Sequence, residues 1–123
     1  MAEGILRHLR PDFKVFSAGV KPEKEVSPYA VRVMEELDID ISQHSPTHSD
    51  TFLSQAFNYV ITVCDHAKDN CPVFAGEVKH RKHIGFPDPY HAEGTDEEVM
   101  QVYRKVRDDI MLSLERFVLD ENI

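Results

Sequence analysis

Two cysteines, an aspartate between prolines and a scatter of histidines are the side chains here that could do chemistry. The cysteines are the most informative. Residues 60–71 read VITVCDHAKDNC. An apolar run of strand character ends in Cys64, six mostly polar and helix-compatible residues follow, and then comes Cys71. No other cysteine occurs in the 123 residues. Seven steps along a helix return to one face but lie about 10 Å apart along the axis. A disulfide needs Cα atoms within about 7 Å. The spacing therefore suits a redox pair that closes when a short helix distorts. Asp65 disfavours the Cys64 thiolate, while a protonated His66 favours it. The plainer alternative is two unconnected cysteines, one of them buried at a strand end.

Asp88 stands between Pro87 and Pro89. A rigid loop can hold a carboxyl group where it protonates a leaving oxygen or helps deprotonate an attacking thiol. On residue types alone a simple turn is the better reading, because proline and aspartate are both favoured there. Residues 79–83, KHRKH, contain a His-x-x-His pair. No nearby carboxylate completes a metal set, and His8, His44, His48, His66 and His91 are scattered, so no metal is expected and a solvated basic turn is. Tyr90 either lines a cleft or is a surface aromatic. Glu3, in the first turn of an expected helix, most simply favours the helix dipole. No cysteine or glycine-rich loop precedes that helix, which leaves no obvious cradle for a phosphate-like oxyanion.

These residues need a frame, and 123 residues make one domain with a single core. The apolar fraction of 41% and charged fraction of 29% are ordinary for a soluble protein. A net charge of −8 argues against general nucleic-acid binding. No apolar run is long enough to span a membrane, and MAEGILRHLR lacks the apolar core of a secretory signal. Two cysteines without a signal point to a reducing, cytoplasmic setting.

The sequence predicts a helix over residues 2–9, a strand over 14–17, and a helix opened by Ser27 and Pro28 with Ala30, Val33, Met34 and Leu37 on one face. It predicts a short helix over 50–57, its clearest strand over 59–63, loop or helix over 65–70, and a weaker strand over 83–86. Thr95 and Glu98 form a capping box. It opens a long helix through about Val118, with Val99, Val102, Val106, Ile110, Leu114 and Phe117 near one stripe. This alternation implies an α/β fold of three layers with a parallel sheet. Such folds normally begin with a strand followed by the ligand loop, so the central first strand is expected to be missing from these residues.

In this order the residues resemble the thioredoxin-coupled arsenate reductases, which share the low-molecular-weight protein tyrosine phosphatase fold. Met1-Ala2-Glu3-Gly4 is similar to the start of that family's first helix. Phe16-Ser17-Ala18-Gly19 is similar to the end of its second strand, and Asp38-Ile39-Asp40-Ile41-Ser42-Gln43-His44 to the segment after its second helix. Cys64 and Cys71, with Pro72 next, match its redox cysteines. Gly85-Phe86-Pro87-Asp88-Pro89 resembles the loop of its Asp-Pro general acid, and Val106-Arg107-Asp108-Asp109-Ile110 its last helix. The family's Cys-x5-Arg loop, whose cysteine is the nucleophile and whose N–H groups and arginine hold the oxyanion, has no counterpart here. Thr47 stands where some arsenate reductases carry an acid near a potassium ion, so no ion is expected.

The resemblance implies a reaction. A loop cysteine attacks arsenate, Cys64 attacks that adduct and releases arsenite, and Cys71 attacks Cys64, leaving a disulfide for thioredoxin to reduce. Asp88 is then the general acid. The parent sequence is expected to be an arsenate reductase, and these 123 residues alone to be inactive, with Met1 reading like the interior of a longer protein. A phosphotyrosine phosphatase is the alternative enzyme, and a non-catalytic binding or regulatory protein the alternative outside enzymes. Unpaired strand edges are expected to favour self-association.

Overall fold

A computed structural model describes residues 1–19, 26–45, 47–63 and 74–122. Helix α1, Ala2–Leu9, turns Ile5 fully inward. Ala2, Leu6 and Leu9 pack at the border of the same core. Gly4 allows a close approach: a Cβ there would sit 2.6 Å from Ile41 Cγ2, so α1 lies directly on the segment carrying Ile39 and Ile41. The helix stops at Arg10, because Pro11 has no N–H to continue it and pushes the preceding residue toward extended backbone.

Residues 14–17 depart from expectation. They are extended, with Val15 buried, but form no ladder among the described residues. A strand needs a partner for its N–H and C=O groups. Here the Val15 carbonyl instead accepts from the Arg7 guanidinium, and pairing is confined to a single parallel bridge between Gly19 and His48.

Helix α2, Pro28–Glu35, begins at the expected place and buries Ala30, Val33 and Met34. Ser27 occupies the cap position, yet its hydroxyl donates to the Tyr103 hydroxyl (2.9 Å) rather than capping α2. Past α2 the chain reverses at Asp38, in the left-handed region at φ 59°, which a short polar side chain tolerates. Residues 50–57 are not one helix. A 3-10 turn covers Ser49–Phe52, and a strand has begun by Ala56.

Strands β1, Ala56–Thr62, and β2, Glu77–His83, form a parallel two-stranded sheet. The register runs from Ala56 beside Glu77 to Thr62 beside His83. Two further bonds extend it, Ile84 N–H to Thr62 O at 2.9 Å and Phe86 N–H to Val63 O at 3.0 Å. β2 thus replaces both the expected basic turn at 79–83 and the weak strand at 83–86. The period of two puts His80 and His83 on opposite faces, so the pair cannot converge on one ion. His80 stacks on Tyr59, with ring centroids 4.9 Å apart.

Helix α3, Asp96–Asp120, starts at the predicted capping box: Glu98 N–H donates to Thr95 Oγ1 at 3.2 Å and Thr95 N–H to Glu98 Oε1 at 3.4 Å. α3 packs on α1, α2 and the 3-10 turn Pro89–His91. Its buried stripe includes Val99, Val106, Ile110, Leu114 and Phe117 as predicted. Val102 is 41% exposed, and Tyr103 takes the inward position. Ile5, Val33, Met34, Ile41, Phe86 and Leu114 belong to one hydrophobic cluster, and Ile61 and Ile84 carry the sheet onto its border. The architecture is α/β with a parallel sheet. No helix among the described residues is long and apolar enough to cross a membrane.

Candidate active site

Cys64 and Cys71 lie outside the described residues, as does the 65–70 segment between them. The flanking frame is well defined. β1 and β2 run parallel, and their last shared bond joins Val63 to Phe86. The chain therefore leaves for Cys64, one residue on, and for Asp88, two residues on, from the same C-terminal edge of the sheet. Ligand loops of parallel sheets gather at this edge. His83 Nδ1 and Thr62 Oγ1 meet there at 2.7 Å.

Asp88 is exposed, and its carboxylate accepts the Tyr90 N–H at 2.9 Å. It thereby caps the 3-10 turn Pro89–His91, the turn role that residue types alone favour. One carboxylate oxygen suffices for that bond. Tyr90 is 42% exposed. The turn rests on α3, where Tyr103 is almost fully buried. Burial pushes the Tyr103 hydroxyl above the ordinary tyrosine range, and the negative charge of Asp88 adds to the rise. Tyr29 stacks on Tyr103 at 5.6 Å and donates to Asp96 Oδ1 at 2.7 Å. The N-terminal ends of α2 and α3 are thus tied together beside the Asp88 loop.

Glu3 does more than favour a helix dipole. Its carboxylate accepts from Ser17 Oγ at 2.6 Å, meets His44 Nδ1 at 3.2 Å and approaches Arg7 Nη2 at 3.6 Å. Its side chain is only 13% exposed. One acid so links α1, the extended residues 14–17 and the segment after α2. Arg7 is the helical neighbour four residues on, whereas Ser17 and His44 come from elsewhere along the chain and no local pattern announces them. Close by, Asp40 accepts from both the N–H and the hydroxyl of Ser42, which hold its carboxyl below the usual range. Among the described residues no group of three His, Cys, Asp or Glu side chains is placed to hold a metal ion.

The described residues bring Asp88 to the sheet edge that leads into Cys64.

Known proteins align with nearly the whole chain. The family model described as low molecular weight phosphotyrosine protein phosphatase matches residues 1–122. The arsenate reductase of Halalkalibacterium halodurans is 43% identical over 118 residues, 95% of this chain and 84% of that protein. The arsenate reductase of Bacillus subtilis is 39% identical over the same coverage. Among solved structures, an arsenate reductase in its oxidized state superposes with a TM-score of 0.76 at 25% identity, covering 97% of this chain and 86% of that one. An arsenate reductase in the phosphate binding state gives 0.72 at 25% identity, with the same coverage. The chain belongs to the low molecular weight phosphotyrosine protein phosphatase family.

Proposed function

We propose that this domain serves the reduction of arsenate to arsenite, with electrons from thioredoxin passing through Cys64 and Cys71, in the cytoplasm. The observation that carries the reading is the second cysteine seven residues after the first, in a segment entered from the C-terminal edge of β1. In the proposed cycle a thiol displaces an arsenate oxygen, which leaves as water. Cys64 then attacks that sulfur. The sulfur–arsenic bond breaks with its electron pair on arsenic, releasing arsenite and leaving a disulfide. Cys71 attacks the Cys64 sulfur and frees the first thiol, and thioredoxin reduces the Cys64–Cys71 disulfide with two electrons and two protons. Asp88 is the proton donor for the departing oxygen. The first thiol belongs to a Cys-x5-Arg loop that the 123 residues do not contain, so these residues alone turn over neither arsenate nor aryl phosphates.

A phosphatase reading is weaker, because hydrolysing a phosphate monoester requires no second thiol such as Cys71. A non-catalytic scaffold role would make both cysteines dispensable. Mild oxidation distinguishes them. The expected product is an intramolecular disulfide two hydrogens lighter by non-reducing mass spectrometry, which thioredoxin restores to the dithiol. If oxidation yields only chains linked to one another, the redox pair is refuted. The edge of β1 away from β2 has no strand on it among the described residues, and self-association through it belongs to the same reading. Sedimentation at micromolar concentration tests it; a single sharp monomer boundary rules it out.

A further inference from the structure

Ser27 stands where a helix cap belongs and does not cap. A serine there ordinarily accepts an N–H from the first turn of its helix, and losing that bond lowers stability. Here Ser27 Oγ donates instead to the Tyr103 hydroxyl at 2.9 Å, 76 residues along the chain. Tyr103 is 3% exposed. Phenylalanine would fill the same space without a buried polar group, whereas a buried hydroxyl needs a partner. Tyr29 repeats the connection: its ring stacks on Tyr103 and its hydroxyl donates to Asp96, the first residue of α3. Two tyrosine hydroxyls so fasten the start of α2 to the N-terminal part of α3. The Asp88 loop lies against this joint. Its turn Pro89–His91 packs on α3. After burial, the charges of Asp88 and Tyr90 are what raise the Tyr103 hydroxyl further. Phe86 anchors the near end of the loop through its buried ring and its bond to Val63 O, and the Thr95 capping box anchors the far end. Between these anchors, Tyr90 N–H to Asp88 and Ala92 N–H to Pro89 O fold the loop onto itself. The surface beneath the turn therefore decides how the carboxylate stands at the sheet edge.

We propose that Tyr103, held by Ser27, is the positioning residue for Asp88: the hydroxyl pair braces the turn that presents this carboxylate at the C-terminal edge of the sheet. This rests on the reading of Asp88 as proton donor and adds the residues that hold it in place. Tyr103 touches no substrate in this role. It acts through the turn, whose Tyr90 N–H fixes one carboxylate oxygen and leaves the second for proton transfer.

The test uses the full 123-residue chain, labelled for amide NMR, beside Tyr103→Phe, Ser27→Ala and Ser27→Thr. The reporter is the Tyr90 amide. Bonded to a carboxylate, its proton resonance moves when acid neutralises Asp88, and Asp88→Asn should abolish that response. Tyr103→Phe and Ser27→Ala remove one bond from its two sides. Each is expected to cut the Tyr90 response by half or more, and the two together by no more than either alone. Ser27→Thr keeps the hydroxyl and should match the parent. The Ser42 amide, bonded to Asp40 Oδ1 at 2.8 Å, serves as the internal control and should respond to acid alike in all four proteins. An undiminished Tyr90 response overturns the brace. So does a loss matched at Ser42, which marks general loosening, and so does a response that survives Asp88→Asn. If Tyr103→Phe fails to fold, Ser27→Ala carries the test with its threonine counterpart. The redox reading is decided apart: a parent chain that forms no intramolecular disulfide loses the reaction and the role of Asp88 with it. A chain that forms the disulfide while Tyr90 ignores the substitutions refutes the brace alone.

Discussion

Replacing Glu36 with glutamine should cost stability in a pH-dependent way. Glu36 follows α2 and faces two guanidinium groups of α3. Arg104 donates through Nε at 3.0 and 3.1 Å and through Nη2 at 2.9 Å, and Arg107 through Nη1 at 2.7 Å. The bonds from Arg104, then those from Arg107, hold the Glu36 carboxyl down from 4.5 to about 2. Unscreened, that gap corresponds to about 3 kcal/mol. The side chain is 38% exposed, and solvent screening brings the figure to about 1 kcal/mol. Arg107 keeps its bond to the Val33 carbonyl at 2.8 Å and its pairing with Asp108. The substitution therefore strands no buried cation, and the larger penalty of a broken buried pair does not apply. Because folding lowers this pKa, the stabilisation is complete above the unfolded value of 4.5 and is lost as pH falls toward about 2. Urea unfolding should show Glu36→Gln weaker by about 1 kcal/mol near neutral pH, with the deficit shrinking steadily below the unfolded value. A deficit unchanged through that acid range would refute the reasoning, and so would none at neutrality.

Two further expectations separate roles that the sequence leaves merged. Asp88→Asn keeps a side-chain oxygen for the Tyr90 N–H and should leave stability within about 0.5 kcal/mol, whereas Asp88→Ala should lose about 1 kcal/mol; equal thermal melts would show that the cap contributes nothing. Leu114, 2% exposed, should cost about 2–5 kcal/mol when cut to alanine. Val102→Ala should stay within about 0.5 kcal/mol, and comparable losses at the two sites would contradict the burial of α3.

Helices were legible because their signals are local. Ala2, Ile5, Leu6 and Leu9 share a face, Ser27 and Pro28 open α2, and Thr95 with Glu98 opens α3 where the capping box predicts. The misreadings occur where partners far along the chain decide. Val-Lys-His-Arg-Lys-His shows no apolar alternation, so β2 could not be read as a strand; β1, the Tyr59–His80 stack and the Lys82–Glu121 pair hold it. Residues 14–17 have strand composition but no ladder among the described residues. Val102 fits the helical stripe by spacing, yet the rotation of α3 set by α1 and α2 turns Tyr103 inward instead. At the candidate site, Asp88 was legible as a turn residue from its prolines. Of the partners of Glu3, Arg7 stands at the local i,i+4 spacing, but Ser17 and His44 were not legible, because each comes from a different segment.

The place of α3 bears on how the protein is made. Twenty-five residues long, it extends about 37 Å and follows every other described element along the chain. α1 and α2 both depend on it, and through Tyr59 with Phe117 and Lys82 with Glu121 the sheet does too. Until it emerges, the cluster that holds Ile5, Met34 and Phe86 lacks the side that α3 supplies. The side of α1 that α3 covers is therefore closed only after all the described elements between them have been made. Contacts of such long sequence separation slow folding and leave apolar surface exposed meanwhile. Synthesis halted before Asp96 would yield a nascent chain with its helical faces open, a natural client for chaperones.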